Sequence, residues 1–504
     1  MFRKILIANR GEIAVRIIRT CKKLGVKTVV AYSDADTEAM PVRLADEAYN
    51  IGPGPAPKSY LNIPRVVKAA KSSRVDAVHP GYGFLAENPE FARTCEEVGL
   101  VFVGPRSKIL GSAANKFESR EMARKAGVAT IPGSKTELDS FEKAEAEANR
   151  IGFPVLIKAS FGGGGRGMRI VNHARELRRA FELAAAESGS AFGRSELYLE
   201  KHLGNPRHIE VQVMAGPRGR IIELGERECS LQRRNQKVLE ETPSPVMNSV
   251  ERKRLVSLAL KAAKAARYEN AGTVEFMRSS KGEFYYLEIN KRIQVEHLIT
   301  EMVTGIDIVE QQLRIASGDG LDISQDEVEF NGAAMNCRIN AEDPSRNFTP
   351  TPGRVEEYAS PGGPGIRVDT ALFDGAVVPE YYDSLIAKIA SHGETREEAI
   401  ERLKIALSET IITGVETTIP VHQAILEHKN FLRGEYHTQL LDKEVASWDL
   451  SPRLSKEEVA MLYLATKYSV SGTNGLQQQP HQDNWRPLPK AETLGRTPLY
   501  VEGL

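Results

Sequence analysis

The sequence has little cysteine, no net charge and no long apolar run. Its four cysteines, among 504 residues, lie far apart without CxxC spacing, which argues against a disulfide framework or a structural zinc site. The 67 basic and 67 acidic side chains cancel, so no overall field attracts nucleic acid or an anionic membrane. No stretch approaches about 18 consecutive apolar residues, and the first residues lack a signal-peptide core. We therefore expect a soluble, cytoplasmic protein with neither nucleic-acid nor membrane partners.

The length of the chain predicts several domains of about 100 to 200 residues each. KILIA, GEIAVRIIRTCKKLG and VKTVVAY give a β-α-β start, so residues 1–115 are predicted to form a doubly wound parallel-sheet α/β domain. Residues 116–330 alternate helix and strand patterns and predict an α+β body with a glycine-rich insert. Short strands between Gly and Pro turns predict a separate, mostly β domain over 333–447. The Gln- and Pro-rich residues 448–504 predict a partly ordered or docking tail.

A glycine run, FGGGGRGM, follows the apolar strand PVLIK and ends at Met168. Without Cβ atoms, the backbone N–H groups around Gly163, Gly164 and Gly165 can close on a phosphate chain, and the run can move as a lid. Lys158, on the preceding strand, supplies a cation for phosphate. The spacing matches neither GxxxxGK[ST] nor GxGxxG after a first strand. We predict a nucleotide-binding lid, the alternative being a loop that is merely flexible.

A predicted hairpin, TVEFM-RSSKG-EFYYLEINKRIQVEH, carries the most informative pattern in the chain. Its second strand alternates, and the polar side chains that share one face are Glu288, Asn290, Arg292, Gln294 and Glu296. Carboxylates and amides suit a magnesium ion, which Glu275 on the partner strand can also bind, and the arginine fork suits a small planar anion. The alternative is an edge strand with a mixed polar surface. Lys291 interrupts the apolar face.

Two further polar segments leave their roles open. ERECSLQRRNQKVLEE brings Arg227, Arg233, Arg234 and Lys237 close together in sequence, either as a surface charge run or as cations beside the hairpin. HPGYGFLAEN follows a parallel strand, where ligands bind in open sheets, but it also fits a simple Gly-Pro turn.

Eight segments together resemble the biotin carboxylase family in order and spacing: ANRGEIA, HPGYGFLAEN, KASFGGGGRGM, EKHLGNPRHIEVQV, ECSLQRRNQK, EINKRIQVEH, NCRINAEDP and PEYYDSLIAK. The resemblance covers residues 1 to about 445, and RIQVEH with NCRINAEDP is highly specific. It implies an ATP-grasp fold with an N-terminal α/β domain, a mobile lid over about residues 131–203 and a C-terminal domain that completes the active site. It also implies a homodimer.

The resemblance implies a role for each matching residue. The implied ATP pocket consists of Lys116, Lys158, the glycine lid with Met168, Glu200, Lys201, Leu203, His208 and Gln232. The implied ligands of Mg²⁺, or Mn²⁺, are Glu275, Glu288 and Asn290. Bicarbonate is expected at Lys237, Arg292, Gln294 and the Val295 backbone, with Glu296 as the general base. Biotin is expected at Tyr82 and Gly83, with Arg338 stabilising its enolate.

The sequence departs from the family pattern at four positions. Asn235 replaces the usual His, Lys291 the usual Thr, Phe161 a small residue, and Leu298 a frequent Pro. Asn235 removes a possible cation near the phosphates. None of the four positions is the expected base or one of the two expected arginines, so the core activity is expected to persist.

No Met-Lys-Met segment of the kind that carries biotin is present. The resemblance therefore implies a separate biotin carboxyl carrier protein and a separate carboxyltransferase subunit. We expect the biotin carboxylase subunit of an acetyl- or propionyl-CoA carboxylase, the alternative being a two-subunit pyruvate carboxylase. Two other hypotheses remain open: a biotin-independent ATP-grasp ligase, and a regulatory ATP-binding subunit without catalysis.

Overall fold

The first sheet of the protein is entirely parallel. A computed structural model describes residues 1–112, 116–160, 168–192 and 196–450, so the glycine run and all but the first residues of the predicted tail lie outside the described residues. The first segment consists of β1 Lys4–Ile7, α1 Gly11–Lys23, β2 Lys27–Tyr32, α2 Met40–Leu44, β3 Glu47–Asn50, α3 Ile63–Ser72, β4 Ala77–His79, α4 Pro89–Glu97, β5 Val101–Phe102 and α5 Ser107–Gly111. Its five strands are ordered β3-β2-β1-β4-β5, which confirms the predicted doubly wound arrangement.

The amphipathic pattern of α1 explains how this sheet is covered. Ile13, Ile17 and Cys21 recur on one helical face and are buried against Ile5 and Ile7 of β1. The same core includes apolar side chains from the strands that follow residue 206. The parallel sheet is therefore packed directly against the body that carries the predicted hairpin.

A small antiparallel sheet comes next in the chain. Its elements are α6 Lys116–Lys125, α7 Phe141–Ile151, β6 Val155–Ala159, β7 Arg169–Val171, α8 Ala174–Phe192 and β8 Leu197–Lys201, and the strands are ordered β7-β6-β8. The side chain of Ser140 accepts a hydrogen bond from the backbone N–H of Lys143 and begins α7. The sheet brings the end of the predicted lid, at Glu200, beside the strand that precedes the glycine run.

The largest sheet has eight antiparallel strands in the order β13-β12-β9-β10-β11-β14-β21-β19. Its first part consists of β9 Arg207–Ala215, β10 Ile221–Arg233, β11 Gln236–Thr242, α9 Ser249–Ala265, β12 Asn270–Arg278, β13 Phe284–Asn290, α10 His297–Thr304 and α11 Ile308–Ser317. The β12–β13 hairpin is as predicted, but the strand pattern proposed through Glu296 is wrong beyond Asn290. The chain there leaves the sheet, and Glu296 comes directly before α10.

The remaining elements add three strands to the same sheet and include three small two-stranded sheets. They are β14 Ala333–Asn340, β15 Glu342–Asp343, β16 Thr349–Pro350, β17 Gly353–Arg354, β18 Tyr358–Ala359, β19 Ile366–Thr370, β20 Val377–Val378, β21 Leu385–Gly393, α12 Arg396–Glu409, β22 Ile411–Ile412, α13 Ile419–Glu427, α14 Lys429–Leu432 and α15 Leu440–Glu444. β14 pairs with β11, and β21 and β19 follow. The separate β domain expected from residue 333 thus shares its main sheet with the preceding body. Among the described helices, none combines the length and apolar character needed to cross a bilayer.

Candidate active site

The predicted metal residues lie on adjacent strands. Glu275 of β12 is directly opposite Glu288 of β13, and Thr273 is opposite Asn290. Opposed residues of an antiparallel pair project from the same face, so both carboxylates and the amide belong to one surface. The Asn290 amide donates to Glu275 Oε1 at 2.7 Å. These residues offer oxygen ligands of the kind that Mg²⁺ prefers.

Lys237 of β11 lies at the centre of three carboxylates. Its ammonium is 2.5 Å from Glu210 Oε2, 3.0 Å from Glu275 Oε1 and 2.7 Å from Glu296 Oε1. Burial opposes the charge of this lysine, but the three carboxylates hold its pKa well above the ordinary value. Lys237 is therefore a fixed positive charge that joins the metal residues to the predicted base.

Glu296 is completely buried between two cations. Its other oxygen, Oε2, accepts a hydrogen bond from Arg338 Nη2 at 2.8 Å. Burial alone would raise the pKa of this carboxyl, yet the charges of Lys237 and Arg338 hold it well below the ordinary value. Glu296 is thus an ionised carboxylate inside the protein, as a proton acceptor must be. Arg338 is shared with Glu240, whose Oε1 lies 2.5 Å from its Nε.

The predicted anion residues lie in the loop between β13 and α10. Arg292 Nη1 donates to Gln294 Oε1 at 2.9 Å, and its Nε donates to Glu87 Oε2 at 3.0 Å. The Gln294 amide reaches Glu275 Oε1 at 3.4 Å. Although the alternating strand does not extend this far, Arg292 and Gln294 still join the hairpin face.

The predicted nucleotide residues include two lysines, Lys116 and Lys158, that each form an ion pair with a glutamate. The Lys116 ammonium is 3.0 Å from Glu288 Oε2, and that of Lys158 is 2.5 Å from Glu200 Oε2. Glu288, beside Lys116, raises the pKa of this lysine although burial opposes its charge. Glu200 also pairs with Arg120 at 3.0 Å.

Histidine and amide groups connect the nucleotide residues to the metal residues. His208 Nε2 is 3.2 Å from Glu275 Oε2, and its Nδ1 is 2.7 Å from the Gln232 amide nitrogen.

Lys201 differs from Lys116 and Lys158, because its ammonium donates to the carbonyls of Gly152 and Phe153 at 2.9 and 2.8 Å.

Leu203 and Met168 are half-buried at the edges of this region. Gly163, Gly164 and Gly165 lie outside the described residues, so their expected contact with phosphate stays a prediction.

The loop that carries the predicted biotin residues, Tyr82 and Gly83, is fixed by hydrogen bonds to Asn9 and Glu12. The Asn9 amide donates to the carbonyls of Pro80 and Tyr82, both at 2.7 Å, and the Tyr82 hydroxyl donates to Glu12. Gly83 has φ +68°, a conformation that glycine adopts without strain. The loop therefore has a defined shape beside the parallel sheet.

Lys388 connects this loop to the anion residues. Its buried ammonium lies 3.0 Å from Glu12 Oε2 and donates to the Val295 carbonyl at 3.0 Å. Tyr82 and the Val295 backbone are thus joined through two buried side chains. Nothing in the spacing of PEYYDSLIAKIA signals this role.

Four functional neighbours were missed in the sequence: Glu87, Glu210, Glu240 and Lys388. Glu210 had a signal, because His208, Glu210 and Gln212 alternate with apolar residues along β9. Every residue of β9 is buried, however, so alternation there separates two buried faces. Glu240 becomes recognisable only when β14 brings Arg338 beside it.

The four cations of the segment ERECSLQRRNQKVLEE do not share one role: two lie beside the hairpin and two lie on the surface. Arg227 is buried and Lys237 is half-buried beside Glu210, whereas Arg233 and Arg234 donate to Asn347 on an exposed surface. Asn235 has φ +63° in the turn between β10 and β11, a backbone region in which Asn is enriched.

The chain was compared with known families and proteins. Three family models match: "Biotin carboxylase, N-terminal domain" over residues 1–110, "Carbamoyl-phosphate synthase L chain, ATP binding domain" over 115–324, and "Biotin carboxylase C-terminal domain" over 336–443. Biotin carboxylase 1 of Bacillus subtilis is 51% identical over 88% of this chain and 98% of its own length. One pyruvate carboxylase subunit of Methanothermobacter thermautotrophicus is 49% identical over 92% of this chain and 94% of its own length.

A solved structure shows the same fold. It is the biotin carboxylase domain dimer of Hydrogenobacter thermophilus 2-oxoglutarate carboxylase in complex with MgADP, ADP and bicarbonate. Its TM-score is 0.86 at 48% identity, covering 89% of this chain and 99% of that one. The expected ATP-grasp architecture, with an N-terminal parallel sheet and a C-terminal antiparallel sheet, is confirmed.

Proposed function

We infer that this chain, which belongs to the biotin carboxylase family, is an ATP-dependent carbon–nitrogen ligase that carboxylates biotin with bicarbonate. The observation that carries the assignment of roles is Glu296, an ionised and buried carboxylate held between Lys237 and Arg338. A base is needed because bicarbonate is a weak nucleophile until its remaining proton leaves.

The hairpin residues fit a divalent cation. Glu275 and Glu288 are opposed on one face, Asn290 adds an amide oxygen, and all three are hard ligands suited to Mg²⁺ or Mn²⁺. When bound with ATP, such an ion offsets negative charge on the phosphates. Lys116 and Lys158 are proposed to add their charges there, exchanging the carboxylates they now contact for phosphate oxygens.

We assign the adenine side to the end of β8 and the residues just after it. The proposed hinge consists of Glu200, Lys201 and Leu203, with His208 on β9 and Gln232 on β10. Because the Lys201 ammonium is bonded to two carbonyls and its backbone N–H donates to the Pro132 carbonyl, we propose that this residue contributes its backbone carbonyl to adenine. The lid over about residues 131–203, with its glycines, is proposed to close over the phosphates.

Bicarbonate is proposed to bind between Arg292, Gln294, Lys237 and the Val295 backbone. Arg292 presents a planar fork that matches a planar anion. Glu296 then takes the bicarbonate proton, an oxygen of the resulting anion attacks the γ-phosphoryl group, and ADP leaves. The product is carboxyphosphate.

Carboxyphosphate then breaks down to CO₂ and phosphate within the site. The released phosphate takes the proton of the biotin ureido nitrogen, and the negative charge that develops on the ureido oxygen faces Arg338. The nitrogen attacks CO₂ and carboxybiotin forms. Tyr82 and Gly83 are proposed to contact the biotin ring.

Protonation of Glu296 also changes the environment of Arg338. The guanidinium is bonded to Glu296 Oε2 in the free protein, and this bond weakens when Glu296 accepts a proton. Arg338 then becomes available to biotin after bicarbonate has been deprotonated. The geometry favours this order of steps.

The protein partners are proposed from the family. We propose a homodimer that acts on a separate biotin carboxyl carrier protein, with a separate carboxyltransferase subunit. The proposed boundaries are 1–115, 116–330 and 333–447, with residues 448–504 as a tail. The acceptor is proposed to be acetyl- or propionyl-CoA. Pyruvate is the alternative, since one relative belongs to a pyruvate carboxylase.

The reaction is tested with purified protein, ATP, Mg²⁺, bicarbonate and free biotin. We expect ADP release that increases with biotin and requires bicarbonate. A biotin-independent ATP-grasp ligase would release ADP without dependence on biotin, and that result would contradict the proposed function.

A further inference from the structure

The loop after β4 makes a contact that the proposed mechanism does not use. Both oxygens of Glu87 accept hydrogen bonds from consecutive residues of the loop after β13. Oε1 accepts from the Lys291 backbone N–H at 2.8 Å, and Oε2 accepts from Arg292 Nε at 3.0 Å. Glu87 is separated from these partners by more than 200 residues, so the contact bridges the parallel sheet and the hairpin.

The contact restricts how the Arg292 fork can lie. Arginine has several rotatable bonds, and fixing them costs conformational entropy. Glu87 holds the Nε edge while Gln294 Oε1 holds Nη1 at 2.9 Å. The plane of the guanidinium is thereby fixed before an anion arrives, which spares that cost at binding.

Glu87 also acts against a competing arrangement. The carboxylates of Glu296 and Glu275 both attract the Arg292 guanidinium. Among the described residues, Glu87 is the carboxylate within ion-pair distance of Arg292. Without it, pairing of this cation with Glu296 would engage the base. The Glu87 carboxylate therefore holds the Arg292 guanidinium in position and leaves Glu296 accessible to bicarbonate.

Lys291 secures the same segment from the other direction. Its side chain is 4% exposed, and its ammonium donates to the carbonyls of Ile109 and Leu110 in α5, at 2.8 and 3.0 Å. In this chain, residue 291 is fixed at its backbone by Glu87 and at its side chain by α5.

We propose that Glu87 is a positioning residue for bicarbonate, which orients Arg292 and ties it to the loop carrying Tyr82 and Gly83. The proposal rests on the proposed function, because it takes Arg292 as the bicarbonate residue. Glu87 itself does not contact substrate. Its effect is on the binding of the anion and on the alignment of that anion with biotin.

The test compares Glu87→Gln with Glu90→Gln, an exposed glutamate three residues further on. Gln keeps the size of Glu87 but offers one acceptor where two are needed. The Arg292–Glu87 pair is partly exposed to solvent, so we expect the KM for bicarbonate to rise by about three- to fivefold. The KM for ATP should change by less than about twofold, and Glu90→Gln should match the wild type.

A second comparison asks whether Glu87 acts through Arg292. In an Arg292→Met background, which lacks the guanidinium and its charge, Glu87→Gln should add less than about a twofold change, since the coupling partner is gone. Additive effects would overturn the proposal, as would an unchanged KM for bicarbonate. An equal rise of all three substrate KM values, with a lower melting temperature, would show a merely structural role. If the wild type itself shows no biotin-dependent turnover, the proposed function fails instead.

Discussion

The parallel sheet and the eight-stranded sheet have interiors of opposite kinds. Strands β1, β2 and β4 contribute mainly Ile, Leu, Val and Ala to their core. Strands β9, β10 and β11 are buried to a similar degree, yet their interior includes Glu210, Arg227, Glu228 and Glu240. Both sheets exclude water, but only the second does so around charges.

The apolar interior of the first sheet serves folding, whereas we attribute the charged interior of the second sheet to the reaction. A buried charge costs several kcal/mol unless it is paired, and here each is paired: Arg227 Nε lies 2.6 Å from Glu210 Oε1, and Arg207 lies 3.2 Å from Glu228. A sheet that only had to fold would use apolar side chains. The Arg227–Glu210 pair lies beside Lys237, which also contacts Glu296, where the proposed proton transfer occurs.

The largest expected effect is at Glu296. Glu296→Gln keeps the volume of the side chain and removes the proton acceptor. General-base catalysis is typically worth about 10² to 10⁴ in rate, so biotin-dependent ADP release should fall by that range. The variant should remain folded, because Lys237 keeps Glu210 and Glu275 as partners and Arg338 keeps Glu240. Unchanged turnover would show that this carboxylate is not the base.

Arg227 tests the charged interior itself. Arg227→Met should destabilise the protein by about 3 to 5 kcal/mol, because Glu210 loses one of its two cations and Gln212 and two threonine hydroxyls lose a hydrogen-bond donor. The matched change in the apolar sheet, Ile7→Val, should cost only about 1 kcal/mol. Urea unfolding of both variants measures the contrast, and equal shifts would remove the distinction between the two interiors.

Arg338 tests whether biotin carboxylation and nucleotide binding depend on different residues of the eight-stranded sheet. Arg338→Gln should lower biotin carboxylation by about 10² to 10³, in the range seen when one group stabilising a developing anion is lost. Nucleotide affinity, measured by titration calorimetry, should stay within about twofold, because Arg338 contacts Glu296 and Glu240 rather than the lysines assigned to phosphate. Equal losses in both measurements would contradict separate roles.

The smallest effect concerns the parallel sheet, through His79. Burial lowers the pKa of this histidine from 6.5 to about 3. The group is therefore neutral when folded and protonated in the unfolded chain at mildly acidic pH. Its contribution is complete above about pH 6.5 and is lost as the pH falls towards 3.

His79→Asn keeps an acceptor for the Gly81 N–H and removes this titration. Between about pH 7.5 and pH 5.5, the wild type should lose roughly 1 kcal/mol more stability than the variant. Parallel stability curves for the two proteins, measured by urea unfolding at each pH, would contradict the assignment.

The parallel sheet was easier to predict from the sequence than the eight-stranded sheet. The β-α-β pattern predicted the parallel sheet because α1 and its strands have the periodicities of simple amphipathic and buried elements. The hairpin was predicted too, but not the end of β13. Lys291 leaves the sheet because its partners are Glu87, Ile109 and Leu110, which are remote in sequence.

The site was predictable where a local pattern placed residues on one face. Glu275, Glu288 and Asn290 followed from the hairpin alone. Lys237 joined them only when β10 and β11 were positioned, and Arg338 only through the pairing of β11 with β14. No local pattern predicts a cluster assembled across the six neighbouring strands from β13 to β14, so these roles depended on the family resemblance.

The most direct test of the account follows an oxygen atom. If Glu296 deprotonates bicarbonate within the charged sheet, a bicarbonate oxygen attacks the γ-phosphoryl group and remains on the phosphate when carboxyphosphate breaks down. With ¹⁸O-labelled bicarbonate, short reaction times and biotin present, mass spectrometry should find one labelled oxygen in each phosphate released. Phosphate without label would mean that water is the nucleophile, and it would contradict the carboxyphosphate route.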